Sequence, residues 1–438
     1  MLPTSKILWA LVNNLVELSI GFGTIVLVTR QFTSDEAGTW ILFTSIFLLL
    51  SKLREGFVQT ALVKFSVGVE KEERNSILKS NLIINMCLEI ALSTIIWIIG
   101  MMDFFPSISE LLVRYPIYAI PWSIYRWILT VFRSQLNVKI IFKINTVILI
   151  SLSVGGGCLF TFNWPLEFMV IILGVCSFNA SLLGLYLINT KQFLKSKINW
   201  KHFKKQFYFG NHGILRELTG TLSNRINVFL TAGFLTFSDT ALLGVAQRYT
   251  QLVLLPNTAI QSLLFPKACE IANSKDVALL KQLFEGNIAR LLAVFIPLVS
   301  GISLFSHFLI TFLNGPEYVP AAGLLVIMIV TIGLFAPFGN GFGSMVNAIT
   351  KPHLNTQVVV VNSIINIILS VILVKNIGIY GAVIAPFLSE LIGFIWIGKI
   401  LKKELNIDFI NCFQQIPTQY KILFVNLKKF ISSKTVSI

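Results

Sequence analysis

Twelve long apolar stretches fill most of this chain, and several of them are interrupted by arginines or carboxylates. An apolar run of about 20 residues is long enough to cross a hydrocarbon core of roughly 30 Å. With no water there, the backbone must satisfy its own hydrogen bonds, so such runs are helices. The pattern predicts spans over 7–28, 40–63, 81–101, 111–131, 140–162 and 166–188, then over 210–234, 241–265, 291–313, 321–349, 358–374 and 378–397. A charge inside a span normally faces a cavity or a partner rather than lipid, which makes the interrupting residues the candidates for function.

Composition excludes several classes. The chain is 55% hydrophobic and 13% charged, with a mean hydropathy of +0.78, against about 25% charged in a soluble globular domain. A formal charge of +15 could point to nucleic acid, but the basic residues sit in short loops between spans, where anionic headgroups are the natural partner. Cys87, Cys158, Cys176, Cys269 and Cys412 are scattered without CxxC spacing, so neither a disulfide framework nor a metal site is expected. The glycine runs at 21–23, 155–157 and 339–341 lie within helical stretches with no preceding strand, so they read as close packing rather than phosphate loops. No cofactor is expected. Lys6 precedes an apolar run that continues too far for a cleaved leader, so the first run reads as a retained span.

Orientation follows from lysine and arginine. With both ends in the cytoplasm, the outer loops hold only Arg30, Arg114 and Lys375, while the remaining basic residues outside the spans fall in inner segments. The most basic inner loop, Lys191 to Lys205, divides the chain into an N-terminal lobe (1–190), a linker (191–208), a C-terminal lobe (209–400) and a basic tail (401–438). A repeat supports halves of six: Ser34-Asp35 and Lys64 bracket the second span much as Ser238-Asp239 and Lys267 bracket the eighth. Parallel halves place a pathway between two bundles. The expected fold is therefore an all-α integral membrane protein with about twelve transmembrane helices in two six-helix lobes around a central cavity. Within the tail, 420–431 has the pattern of an interfacial helix, with a disordered basic tail as the alternative.

In the first span Asn13, Asn14 and Glu17 fall at i, i+1 and i+4, one face of a helix. Glu17 lies about 15 Å from the inner end at roughly 1.5 Å per residue, placed to exchange a proton or bind a cation. In the second span Lys52 and Glu55 can pair, whereas Arg54 has no acid on its own helix face. The seventh carries His212, Arg216 and Arg225, the eighth Arg248 and the fourth Arg126. Counting spans one, two, seven and eight, Lys52, Arg54, Arg216, Arg225 and Arg248 outnumber Glu17, Glu55 and Glu217, so an anion is the missing partner. Guanidinium stays charged when desolvated and takes phosphate oxygens bidentately. The competing assignment for these arginines is pairing with Glu89 or Glu390 across helices.

The segment SDTALLGVAQRYTQLVLLPNTAIQSLLFPKACEI resembles the signature region of the polysaccharide repeat-unit flippases, through Gly244, Ala246, Arg248, Pro256, Pro266 and Lys267. LNGPEYVPAAG is similar to a later segment of that family through Gly315, Tyr318 and Ala321 or Ala322, and NIGIYGA to another through Gly378, Gly381 and Ala382. RQFTSDEAGTW fits its first outer connection. The resemblance implies the multidrug/oligosaccharidyl-lipid/polysaccharide exporter superfamily, with two lobes that open alternately to each side. It implies a non-enzymatic flippase that carries undecaprenyl-pyrophosphate-linked oligosaccharide from the inner to the outer leaflet of the bacterial cytoplasmic membrane for O-antigen, capsule or related glycans. Implied partners are the lipid-linked substrate, membrane lipids, H+ or Na+ as coupling ion, a glycan polymerase and a chain-length regulator, with no nucleic acid. A cation or drug antiporter of the same superfamily would need an anionic or aromatic cavity, against which the surplus of cations counts. A glycan polymerase would need a large outer loop, and an acyltransferase a catalytic partner for its histidine; neither is evident in the sequence.

Overall fold

The computed structural model describes residues 4–66, 69–135, 137–188, 200–274 and 276–422. The described residues are helical apart from short turns. The helices are α1 (Thr4–Gln31), α2 (Ser34–Ser66), α3 (Lys71–Met101), α4 (Pro106–Val113), α5 (Tyr115–Ser134), α6 (Val138–Phe162), α7 (Phe168–Leu187) and α8 (Trp200–Phe234). They continue as α9 (Phe237–Asn273), α10 (Val277–Leu304), α11 (Ser306–Leu313), α12 (Ala321–Ala348), α13 (Pro352–Ile377), α14 (Gly381–Leu405) and α15 (Phe409–Gln414). Twelve of these have 20 residues or more, and 20 residues of helix are about 30 Å long. The twelve long helices match the twelve spans read from the sequence. The protein is a multi-pass membrane protein. Seven segments meet a strict test of length and hydropathy: 12–31, 71–101, 138–162, 168–187, 277–304, 321–348 and 352–405, the last holding both α13 and α14. The long helices that fall outside it, α2, α5, α8 and α9, carry all six candidate arginine and histidine positions and the Lys52–Glu55 pair.

Local sequence explains where helices stop. The predicted fourth span is broken at Arg114 into α4 and α5, because Pro116 in the first turn of α5 has no amide to continue the earlier ladder. The predicted ninth span starts at Val277, capped by the Asp276 carboxylate on the Leu279 amide at 2.9 Å, and a break at Phe305 separates α10 from α11. The starts of α2 and α9 share one device, a reciprocal capping box. The Thr33 amide donates to Glu36 at 2.9 Å and the Glu36 amide to Thr33 Oγ1 at 3.4 Å. The Thr236 amide donates to Asp239 at 3.3 Å and the Asp239 amide to Thr236 Oγ1 at 3.0 Å. The two helix starts that the sequence pairs therefore share a cap, set by Thr33 and Thr236 rather than by the two Ser-Asp pairs. At Gly38 a Cβ would stand 1.7 Å from the Phe237 carbonyl oxygen, so only glycine admits this helix crossing.

The chain forms two compact units, Met1–Ala241 and Leu242–Ile438. In the first, α1 packs on α6, α6 and α5 on α7, α3 on α5, and α2 along the length of α8. Its core includes Phe43, Phe47, Tyr115, Tyr118 and Trp127, with Phe47 stacked on Tyr118 at 4.1 Å between ring centroids. In the second, α13 and α14 form a helical hairpin, α12 packs on α10 and α14, and α15 folds back on α10. Leu405, Ile407 and Cys412 are buried in that core, so the described part of the expected tail is packed rather than disordered. Of the basic linker expected at 191–208, residues 191–199 lie outside the described residues and the remainder begins α8; the tail at 423–438, including most of the expected interfacial helix, also lies outside them.

Candidate functional site

The first unit holds a set of buried and half-buried polar side chains on α1, α2, α3, α5, α6 and α8. Polar groups removed from water must find partners in the protein, and these form three clusters.

The first cluster is built on Glu17. Asn13, one turn before it, donates to the Glu17 carboxylate at 3.1 Å. Asn145 of α6, fully buried, donates at 3.0 Å to the same oxygen and at 2.8 Å to Asn13 Oδ1. Its own Oδ1 accepts from the Tyr125 hydroxyl of α5 at 2.6 Å. Arg133, at the end of α5, stands 3.5 Å from the carboxylate. Asn14 takes no part: it is exposed on the adjacent face, one residue and about 100° away from Asn13. The expected triad of Asn13, Asn14 and Glu17 is therefore corrected to Asn13, Glu17 and Asn145, with Tyr125 behind.

The second cluster surrounds Glu55. Arg126 approaches it bidentately, Nε to Oε1 at 2.7 Å and Nη2 to Oε2 at 3.1 Å. Lys52 donates to Oε2 at 2.7 Å, the pairing expected from their i, i+3 spacing. One carboxylate is thus shared by two cations. The Lys52 side chain is 35% exposed against 6% for Glu55, so this cluster reaches an accessible surface at its lysine. Arg126 also lies 5.9 Å from the centre of the Trp122 ring, within cation–π range.

The third cluster is closed. Arg54 of α2 pairs with Glu89 of α3, both side chains 1% exposed, and Ser93 donates to the other Glu89 oxygen at 3.2 Å. Sequence reading aimed Arg54 at an open cavity, with Glu89 across helices as the competing partner, because no acid stands at i±3 or i±4 of Arg54. The structure gives it the competing partner, Glu89, which likewise has no base at i±3 or i±4, and this corrects the open-cavity placement of Arg54. Its Nε and Nη2 find no hydrogen-bond acceptor among the described residues. Beside this pair, Asn81 accepts from Trp127 Nε1 at 3.1 Å and donates to Val58 O at 3.1 Å and Gln206 Oε1 at 2.8 Å. Gln206 returns a bond to Ile77 O at 3.3 Å. This knot ties the start of α8, within the end of the expected basic linker, to α2, α3 and α5.

The other candidates are not gathered here. Arg225 is half-buried on α8 in the first unit and Arg248 half-buried on α9 in the second, each with polar or electrostatic contacts of its own. The side chains of His212 and Arg216 lie outside the described residues. The motif residues of the second unit shape turns and packing. Gly315 and Gly378 hold φ of +113° and +63°, where a side chain would be strained. A Cβ on Gly381 would stand 2.3 Å from the Leu373 carbonyl carbon. Among the described residues no group of three His, Cys, Asp or Glu side chains could hold a metal ion.

The sequence matches the profile of the polysaccharide biosynthesis protein family over residues 27–323, the stretch that carries all three clusters except Asn13 and Glu17. The chain belongs to the polysaccharide biosynthesis protein family. The resemblance read from Gly244 to Lys267 and from Gly315 to Ala322 is met at that level. It is 24% identical over 280 residues to a Haloferax volcanii protein described as "Probable low-salt glycan biosynthesis flippase Agl15", covering 64% of this chain and 58% of that one. It is 26% identical over 154 residues to an uncharacterized membrane protein of Methanocaldococcus jannaschii, covering 35% and 30%. The chain thus matches little more than half, and about a third, of the lengths of these relatives. Among solved structures it resembles the lipid II flippase MurJ in an inward closed conformation, with a TM-score of 0.72, 16% identity and coverage of 96% and 92%. It also resembles an inward-facing multidrug resistance MATE family transporter, with a TM-score of 0.70, 16% identity and coverage of 90% and 96%. These likenesses establish the fold: an all-α membrane transporter architecture of the kind the spans implied.

Proposed function

We propose that this protein is a flippase that moves lipid-linked oligosaccharide across the membrane by alternating access. The observation that carries this reading is the shared carboxylate: Glu55 is bracketed by Arg126 and Lys52, leaving one more positive than negative charge in a buried cluster that is accessible at Lys52. A pyrophosphate or an acidic sugar is the anion that balances it, and guanidinium can exchange a carboxylate for phosphate without changing its geometry. Family membership and the likeness to the Haloferax glycan flippase support the same substrate class. Undecaprenyl pyrophosphate is the proposed carrier, its tail remaining in the bilayer while the headgroup crosses. Arg216, Arg225, Arg248 and His212 are the further proposed headgroup contacts, and Arg54 belongs to them only if Glu89 releases it.

Glu17, in contact with Asn13, Asn145 and Arg133, is the proposed coupling group for H+ or Na+. The excess of lysine and arginine in alternate loops supports cytoplasmic termini, and a bacterial inner membrane is the proposed location. A glycan polymerase and a chain-length regulator are the proposed downstream partners. The likeness to the MATE transporter favours a second reading, export of drugs or organic cations, but a cluster with surplus positive charge repels such substrates.

Deleting the gene and labelling the glycan selectively from each side of the membrane tests the proposal. Lipid-linked glycan accumulating on the inner leaflet, with synthesis intact, supports it. Unchanged outer-leaflet glycan with increased drug sensitivity favours the second reading.

A further inference from the structure

In the second unit, far along the sequence from the Glu17 and Glu55 clusters, Glu390 stands nine residues into α14, about 14 Å from its start at roughly 1.5 Å per residue. Facing it on α13 is Asn362, whose Nδ2 donates to Glu390 Oε1 at 3.2 Å. The carboxamide lies along α14 because Gly393, one turn beyond Glu390, leaves room for it: a Cβ there would stand 3.2 Å from Asn362 Oδ1. Asn362 Oδ1 is buried and has no hydrogen-bond donor among the described residues.

The charges near this pair are sparse. Within α13 and α14 the ionisable groups other than Glu390 are His353, Lys375, Lys399, Lys402, Lys403 and Glu404, all nine or more residues along the helices from Asn362 or Glu390 and toward the helix ends. α12, packed on both, contains no charged residue; α10 contributes Lys281 and Glu285 near its start and Arg290 at its middle. Lys281 and Glu285 face each other and Glu285 accepts from Asn411 and Gln415 of the α15 region, while Arg290 is exposed. Among the described residues no cation lies within ion-pair distance of Glu390.

A carboxylate at this depth without a counter-charge is costly, and so is an amide oxygen without a donor. One proton removes both costs. We propose that Glu390 and Asn362 form a proton-binding site, an acid–amide pair. A proton taken from water converts the carboxylate to a carboxylic acid, which accepts from Nδ2 through one oxygen and presents its O–H to Oδ1 through the other. Turning the amide over changes nothing in this requirement, since Oδ1 would then face the carboxyl and again need its proton. The pair bridges the two arms of the α13–α14 hairpin, so proton release repels the acid from a lone amide oxygen and loosens the hairpin at mid-membrane. The unit that lacks Glu17 thereby carries a titratable site of its own.

Infrared spectra of the purified full-length protein in lipid, recorded from about pH 5 to about pH 9, test this directly. The expected result is a protonated-carboxyl C=O band at neutral pH that is absent from Glu390→Gln and shifted in Asn362→Leu, where the acid loses its partner. Glu390→Gln imitates the neutral acid and should reach the membrane in wild-type amounts. Identical spectra of the wild type and Glu390→Gln at every pH would overturn the site, and a band unmoved in Asn362→Leu would overturn the pairing. A Glu390→Gln protein that fails to fold would also overturn it, because a neutral side chain would then not suffice. None of these outcomes depends on what the protein transports, so they stand or fall apart from the flippase reading.

Discussion

Removing one partner of the Arg54–Glu89 pair should unfold the first unit, and removing both should not. Both side chains are 1% exposed, so each charge has exchanged water for the other. Arg54→Met keeps most of the volume but leaves Glu89 without its counter-charge and with Ser93 as its single remaining donor among the described residues. Breaking a buried pair in this way costs about 3–5 kcal/mol, roughly a hundred- to several-thousand-fold in the folding equilibrium. That is a large part of the 5–15 kcal/mol that typically holds a protein folded. Glu89→Gln alone should cost a similar amount, because Arg54 already has two nitrogens without acceptors and would then have no counter-charge. The double variant Arg54→Met/Glu89→Gln buries no net charge and should recover most of the loss, giving a coupling energy of several kcal/mol in a double-mutant cycle. Membrane abundance by fluorescence-detected gel filtration and the thermal midpoint in detergent read the effect. Wild-type abundance and midpoint for Arg54→Met, or a double variant as poor as either single one, would refute the reasoning and return Arg54 to the pathway. A double variant that is abundant and stable yet exports no glycan would show that Arg54 also meets the substrate.

Other perturbations follow from the remaining clusters. Tyr125→Phe leaves the buried Asn145 oxygen without its donor and should lower the thermal midpoint by the equivalent of about 1–3 kcal/mol; an unchanged midpoint would remove Tyr125 from the network. Glu17→Gln should leave folding intact, since its carboxylate is about a third exposed, but weaken the response of transport to a pH or sodium gradient; full gradient dependence in this variant would end its role in coupling. Cys412 is buried beside Glu285 and its thiol is pushed up to about 12 by burial and by that carboxylate. Thiolate is therefore scarce at neutral pH, and a maleimide should label this residue only as the second unit unfolds; rapid labelling of the native protein would contradict the packed position of α15.

Much of the architecture was legible because lipid imposes a length and a polarity on every span. The twelve spans needed only that rule, and the errors fell where it is silent. Val277 to Arg290 is too polar at its start to read as part of a span, although it continues α10 without interruption. Pro116 was the available sign that the fourth span is two helices. The site was legible as residue types more than as partners. Lys52 and Glu55 share a helix, so spacing sufficed. Arg126 reaches Glu55 from 71 residues away and Asn145 reaches Glu17 from 128, distances at which a single sequence gives no pairing signal. Glu89 was legible only as one of two alternative partners for the arginines: neither it nor Arg54 has an opposite charge at i±3 or i±4, but spacing alone does not choose between Glu89, Glu390 and a cavity. Asn81, Trp127 and Gln206 carried no signal at all, since asparagine and glutamine in a span are used as helix glue as often as for substrates.

The central claim is that a buried, cation-rich transporter core carries the anionic headgroup of a lipid-linked glycan across the bilayer. The most direct test is reconstitution of the purified protein in liposomes with a fluorescent polyprenyl-pyrophosphate oligosaccharide, following access of an external quencher with time. The account predicts protein-dependent flipping that is impaired by Arg126→Ala and poorly rescued by Arg126→Lys, each at wild-type protein content, because lysine cannot reproduce the bidentate grip. Flipping no faster than in protein-free liposomes, or equal flipping of an uncharged polyprenyl glycan lacking the pyrophosphate, would contradict it.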